Sequence, residues 1–220
     1  AAARHEKGGG GMTYIENIFI CLAAPFLIAA ICSGKSSRKN FIFIMVGFLC
    51  CVLAAYLNTF FMVLYKADNT AAVMEITPVV EETVKLLPLL FYLFVFEADE
   101  SEGSMAAFHI AIGFATFENI CYLLENGTND LFHLVIRGFS AGAMHIACAF
   151  MIGYGLRLLK RSSLIKAAGL FGLLCVCITF HAIFNMLMKT DGVLRQIGYA
   201  IPITVSGAQI ALKHHLKKYL

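Results

Sequence analysis

Charge is what this sequence has least of. Only 14% of its 220 residues are charged while 60% are hydrophobic, and mean hydropathy is +0.78, which excludes a water-soluble domain of this length. An excess of one sign is also missing. Lys and Arg number 17 against 14 Asp and Glu, a net charge of +3, so no nucleic acid or other polyanion is implied as a partner. A cleavable signal peptide is not evident, because the first apolar segment runs too long and lacks a basic leader and a small-residue cleavage site. The eight cysteines do not make a disulfide framework. Cys21, Cys32, Cys50, Cys51, Cys121, Cys148, Cys175 and Cys177 all fall inside long apolar stretches and are read as buried apolar thiols.

What remains is a chain built for a lipid bilayer. Residues 1–11, ending in Gly8 to Gly11, are low in complexity and are read as a scar or linker, with a single transmembrane domain expected over 12–220. A membrane crossing needs about 20 apolar residues in a helix, and such windows can be placed near 14–32, 41–65, 71–97, 104–125, 131–157, 165–188 and 193–212. An all-α, polytopic protein of about seven transmembrane helices is therefore expected. Pro78 and Pro88 interrupt the third window, so a short surface helix leading into a shorter span fits there equally well. Lys35, Arg38, Lys39, Arg157, Lys160, Arg161, Lys166, Lys213, Lys217 and Lys218 fall on one side of seven crossings, against Lys66, Lys189 and Arg195 on the other. That bias puts the N-terminus outside and the C-terminus in the cytoplasm. Asn126-Gly127-Thr128 matches a glycosylation sequon on the outer side but is read as a chance match.

A charged side chain at the bilayer centre costs about 2.5 to 3.5 kcal/mol on insertion scales. Glu81, Glu82 and Lys85 lie on the third window, Glu118 on the fourth, Arg137 and His145 on the fifth and His181 on the sixth, so they must face one another or internal water. At a rise of about 1.5 Å per residue, Glu81, Glu82, Glu118, His145 and His181 all come to lie roughly 10 to 20 Å below the outer surface. Lys85 is placed to neutralise either Glu81, four residues before it, or Glu82, three before it, leaving the other carboxylate available. His181 and Asn185 share a helix face. Two histidines and a carboxylate from separate helices make the His2Glu set that holds zinc in hydrolases, and a further glutamate near the bound water would be a general base. A polar network that merely locks helices together, as in transporters, is the alternative. His109 and His133 near span ends, Glu75 at the outer interface and His214-His215 in a basic tail are assigned no chemistry.

Hydrolysis within a membrane has few solutions. Asp68, Asp99, Asp130 and Asp191 all fall in loops, which excludes an aspartyl pair, and no buried histidine begins an H-E-x-x-H motif. Gly138-Phe139-Ser140-Ala141-Gly142 matches G-x-S-x-G but lies within an apolar helix rather than on a strained strand-to-helix turn. It reads as a small-residue packing face, with Ser140 as a nucleophile served by His181 or His145 the lesser reading.

Glu81-Glu82-Thr83-Val84-Lys85, then Gly113-Phe114-Ala115-Thr116-Phe117-Glu118-Asn119, then Arg137 with His145, then His181-Ala182-Ile183-Phe184-Asn185, together resemble the PrsW family of intramembrane proteases. The resemblance covers about residues 78–188. That family is related to the type II CAAX prenyl endopeptidases, whose pattern is E-E-x-x-x-R, F-x-x-x-H and H-x-x-x-N/B. Lys85 stands one position earlier than the CAAX arginine and Glu118 stands where those enzymes carry histidine, both as in PrsW. The resemblance implies an intramembrane endopeptidase of a bacterial plasma membrane. Its implied role is the first (site-1) cut of a single-pass membrane substrate such as an anti-sigma factor, made from the outer side. On this reading Glu81 or Glu82 activates a water while Lys85 holds the other. Glu118, His145 and His181 position that water, through a divalent metal such as zinc or, in the alternative, without metal. Asn185 donates to the oxyanion and Arg137 steadies a carboxylate. A CAAX-type prenyl-protein endopeptidase and an ion-coupled carrier are the rival functions.

Overall fold

The computed structural model describes residues 15–126, 131–158 and 163–217. The described residues are almost entirely helical and contain no strand. The helices are α1 (Ile15–Cys32), α2 (Lys35–Tyr65), the short α3 (Asn69–Ala71), a π-helical turn (Ala72–Ile76) that runs into α4 (Thr77–Val95), α5 (Glu100–Asn126), α6 (Leu131–Leu158), α7 (Ser163–Met188) and α8 (Val193–Lys217). Among the described residues four stretches, Lys35–Tyr65, Glu100–Glu125, Phe132–Leu156 and Ile165–Met188, are long and apolar enough to cross a membrane by length and composition. α4 carries Glu81, Glu82 and Lys85 within 19 residues, which dilutes its apolar character.

Local chemistry sets the helix boundaries. Lys66 ends α2 in the left-handed conformation, and Asp68 opens α3 by accepting from the Ala71 amide at 2.7 Å. Asp99 caps α5 in the same way, its Oδ1 accepting from the amides of Ser101 and Glu102, each at 2.8 Å. Gly192, at φ +66°, supplies the reversal between α7 and α8 that a side chain would strain.

Pro88 does not break α4, contrary to its reading as an interruption. Its ring leaves the carbonyl of Val84, one turn earlier, without a helical donor. The Cys50 thiol of α2 donates to that carbonyl at 3.6 Å. Pro78 stands at the first turn of α4, directly after the π-helical turn, so the third window forms one nearly continuous helical run rather than a surface helix and a short span.

α5 lies at the centre, packed against α2, α4 and α6, while α1 packs on α2 and α8 on α6 and α7. α2 and α5 meet backbone to backbone where Gly47 faces Gly113. A methyl group on either would stand within about 3.1 Å of the other's Cα and would collide with the backbone oxygen of Ile110 or Ile44. This contact brings Phe48 of α2 against Phe117 of α5, ring centroids 5.9 Å apart. The expected small-residue face at Gly138 and Gly142 is not such a contact. Gly142 has open space where its side chain would be, and Gly138 meets only the Asn119 side chain.

α4 is amphipathic in the inverted sense. Glu81, Glu82 and Lys85 are buried among Pro78, Val80, Val84, Leu86 and Leu89, while Val79, Leu87, Phe91, Phe94 and Val95 are exposed. A polar stripe that faces inward behind an apolar exterior is the arrangement that lipid demands. The cysteines divide along the same lines. Cys50, Cys51, Cys148 and Cys177 are buried and Cys121 half-buried, but Cys21, Cys32 and Cys175 are exposed, because an apolar stretch has an outward face too.

One end of the bundle gathers the helix starts. Lys39 of α2 pairs with Glu102 of α5 at 2.6 Å, and Lys166 of α7 with Glu100 at 3.6 Å. At the other end Arg195 pairs with Asp191. Asp130, Lys160, Arg161, Lys218 and positions 127–128 of the sequon lie outside the described residues, as do the side chains of Asn126, Arg157, Lys213, His214, His215 and Lys217.

Candidate active site

α4, α5, α6 and α7 send their ionisable side chains to one place. On α4, Glu82 Oε1 accepts from Lys85 Nζ at 2.7 Å, so the lysine takes the carboxylate three residues away and not the one four away. From α7, His181 Nδ1 donates to the same Glu82 oxygen at 2.8 Å. Lys85 Nζ also donates to His145 Nδ1 of α6 at 2.8 Å. His145 Nε2 donates to Glu118 Oε2 of α5 at 2.7 Å, and Glu118 Oε1 accepts from Arg137 Nη2 of α6 at 2.9 Å. The chain His181, Glu82, Lys85, His145, Glu118 and Arg137 is thus continuous and joins residues up to 99 apart in sequence.

The hydrogen bonds fix both imidazole tautomers. An ammonium can only donate, so His145 Nδ1 must accept and Nε2 must carry the proton given to Glu118. His181 gives its Nδ1 proton to Glu82, which leaves the Nε2 lone pair directed away. That nitrogen lies 3.9 Å from Glu81 Oε2, an atom that is buried and has no hydrogen-bond partner among the described residues. Burying such a group unpaired costs on the order of 1–3 kcal/mol or more when it is charged. The site therefore holds an unfilled demand for a proton donor or a cation.

The rings below the network are ordered. His145 stands edge-on to His181 with centroids 5.2 Å apart, and Phe114 packs under both His145, at 5.1 Å, and the Lys85 ammonium, at 4.9 Å. A cavity of about 30 Å³, enough to admit water, is lined by Glu82, Lys85 and His145 together with Leu89, Ile110 and Ile152. Exposure rises toward Glu118, whose side chain is 25% accessible, whereas His145 is completely buried.

The sequence-predicted residues divide as follows. Glu81, Glu82, Lys85, Glu118, Arg137, His145 and His181 come together. Asn185 does not point into the cluster: its Nδ2 donates to Val73 O of the π-helical turn at 3.0 Å. Glu81, His145 and His181 form a group whose ligand atoms lie within 4.8 Å of one another, a possible metal site, while Glu118 is taken up by Arg137 and His145. A cation fits this donor set at the orphaned Glu81 oxygen and the free His181 Nε2. At His145 Nδ1 it would have to displace the Lys85 ammonium.

Ser140 is fully buried and its hydroxyl donates to Tyr199 O of α8 at 3.1 Å, tying α6 to α8. His109 bonds within its own helix to Met105 O, His133 pairs with the Tyr199 hydroxyl at 3.1 Å, and Glu75 is exposed. Asn119 and Tyr122, which no sequence argument singled out, hold Arg137. Its Nη1 donates to Asn119 Oδ1 at 2.9 Å and its guanidinium lies 3.7 Å over the Tyr122 ring. Asn119 sat beside Glu118 in the quoted motif, and that adjacency was the available signal.

No curated protein and no solved structure matches the chain. Residues 37–207, from α2 into α8, match the PrsW family intramembrane metalloproteases. That match spans most of the chain and contains every member of the buried network, so the chain belongs to the PrsW family of intramembrane metalloproteases.

Proposed function

We propose that this protease makes a site-1 cut in a single-pass membrane substrate of the anti-sigma-factor type, using Glu81 as the working carboxylate. The observation that carries the assignment is the buried, partnerless Glu81 Oε2 facing His181 Nε2 at 3.9 Å. A water lodged between these atoms is within reach of both, and Glu81 takes its proton. Glu82 has a different task. Held by Lys85, it accepts the His181 Nδ1 proton and aims Nε2 at that water. Arg137 holds Glu118, and Glu118 orients His145.

Glu81, His145 and His181 are the residues that would hold a divalent ion, zinc by the chemistry of a His2Glu donor set. When bound, the ion supplies a Lewis acid and a more acidic water. A carboxylate has two oxygens, so Glu81 can bind through one and accept a proton at the other.

We take seven helical runs to cross a bacterial plasma membrane with the N-terminus outside, which would put the network in the outer half, where the substrate would be cut. The ten-to-three bias of basic residues supports this orientation.

The test is cleavage of a single-pass reporter by the wild type and by Glu81→Gln, Glu82→Gln, His181→Ala and Ser140→Ala variants. Loss in the first three with retention in Ser140→Ala is expected. Loss in Ser140→Ala alone would instead establish a serine enzyme. Metal analysis of the purified protein, with activity followed through chelation and zinc add-back, tests the donor set. Full activity without bound metal removes the zinc assignment. A prenylated peptide assayed beside the reporter separates this function from CAAX-type processing.

A further inference from the structure

We propose that Asn119 and Tyr122 are positioning residues that hold Arg137 in register and thereby, through Glu118, hold the His145 ring in its orientation. The inference rests on the protease reading of the site but concerns residues outside it. Arg137 and Glu118 are partly accessible, with side chains 16% and 25% exposed, so a long guanidinium at this edge is not confined by burial alone. α5 confines it from two directions. Asn119 Oδ1 accepts from Nη1 at 2.9 Å, and the flat face of the guanidinium lies 3.7 Å from the Tyr122 ring centre. Asn119 also grips the backbone, its Nδ2 donating to Gly138 O at 3.2 Å, one residue beyond Arg137. The amide orientation is therefore determined: only its oxygen can face arginine and only its nitrogen can face a carbonyl.

So placed, Arg137 delivers Nη2 to Glu118 Oε1, and the second carboxylate oxygen is left turned to His145 Nε2 at 2.7 Å. A carboxylate at that position only accepts, so it takes the Nε2 proton and holds one edge of the ring, while the Lys85 ammonium holds the other at Nδ1. Groups that orient a ligand histidine in this way typically change metal affinity or activity about 10–100-fold when removed. Lysine at position 137 has no fork and cannot serve Asn119 and Glu118 in the same geometry.

The readout is the ring ¹⁵N spectrum of His145 in histidine-labelled full-length protein, assigned with His145→Asn and recorded without substrate. It is paired with kcat and KM on a single-pass reporter that the wild type cleaves. The wild type is expected to show one neutral tautomer protonated at Nε2. Asn119→Ala and Tyr122→Leu, with Lys85 still at Nδ1, are expected to shift the His145 Nε2 signal as its bond to Glu118 loosens and to lower kcat about 10–100-fold with little change in KM. Tyr122→Phe, which keeps the ring, is expected to recover most of that rate. If Asn119→Ala does not fold, the Tyr122 pair still decides. Unchanged His145 signals in folded Asn119→Ala or Tyr122→Leu, or a loss of stability with kcat intact, would overturn the proposal. A wild type that cleaves no reporter, with the expected His145 shifts in its variants, would count against the protease reading and leave this inference standing.

Discussion

Asn185 of α7 donates from Nδ2 to the carbonyl oxygen of Val73 at 3.0 Å, pinning α7 to the π-helical turn that leads into α4. π-turns interrupt the regular helical ladder and recur at functional sites. Here the turn lies just upstream of Glu81 and Glu82, so its position sets theirs.

With its amide engaged in this bond, Asn185 is expected to act as a brace rather than as an oxyanion donor. Asn185→Ala is expected to lower stability by about 1 kcal/mol and kcat by less than about ten-fold. Loss of a true oxyanion donor costs about 10²–10³-fold in kcat. Thermal unfolding in detergent together with reporter kinetics separates the two outcomes, and a fall of more than a hundred-fold at unchanged stability would restore the oxyanion role.

Glu82 and Lys85 form an ion pair that is almost wholly buried, with side chains 5% and 9% accessible. Removing one partner strands the other, at a cost of about 3–5 kcal/mol. Lys85→Met alone should therefore be severely destabilised, as should Glu82→Gln to a smaller degree. The double variant Glu82→Gln, Lys85→Met should recover much of the stability, yet remain inactive because His181 loses its orienting carboxylate. Stability of the three variants measured against wild type checks this. An active double variant would show that Glu82 has no part in the chemistry.

Much of this was legible before the structure, for a physical reason. Lipid charges so heavily for ionisable groups that seven of them within apolar helices had to converge, and Glu81, Glu82, Lys85, Glu118, Arg137, His145 and His181 do. Helix positions were legible because apolar run length tracks helix length. Choices between near-equal local options were not. Lys85 could reach either glutamate, and it is His181, from a helix 99 residues on, that joins it at Glu82. Composition cannot show which face of an apolar helix meets a neighbour, hence the exposed Cys21, Cys32 and Cys175 and the open side of Gly142. Nor does a π-helical turn carry a sequence signal of its own.

Cys50 answers the gap that Pro88 leaves, and the pairing can be tested by chemistry alone. The Val84 carbonyl has lost its helical donor to the proline, and the Cys50 Sγ replaces it from α2 at 3.6 Å. Cys50→Ala should destabilise by about 1 kcal/mol or more, since a buried carbonyl goes unsatisfied. Cys50→Ser, which keeps a donor, should lose less than Cys50→Ala. In the background Pro88→Ala, where the helix can supply its own donor, the penalty for Cys50→Ala should shrink. Equal penalties in both backgrounds would mean that the thiol serves only as packing.

The contact between α2 and α5 gives the last expectation. A Cβ on Gly47 would collide with Ile110 O and one on Gly113 with Ile44 O, both backbone atoms that cannot rotate away. The helices must separate to admit either methyl group. Over-packing of this kind typically costs about 1–3 kcal/mol. It would also draw Phe114, next to Gly113 and under both His145 and Lys85, away from the network. Gly47→Ala and Gly113→Ala should therefore lose stability and cleavage together. Gly142→Ala, built into open space, should lose neither. Unfolding and reporter cleavage of the three variants measure this directly. A Gly142→Ala variant as impaired as Gly113→Ala would return the packing face to the G-x-S-x-G segment.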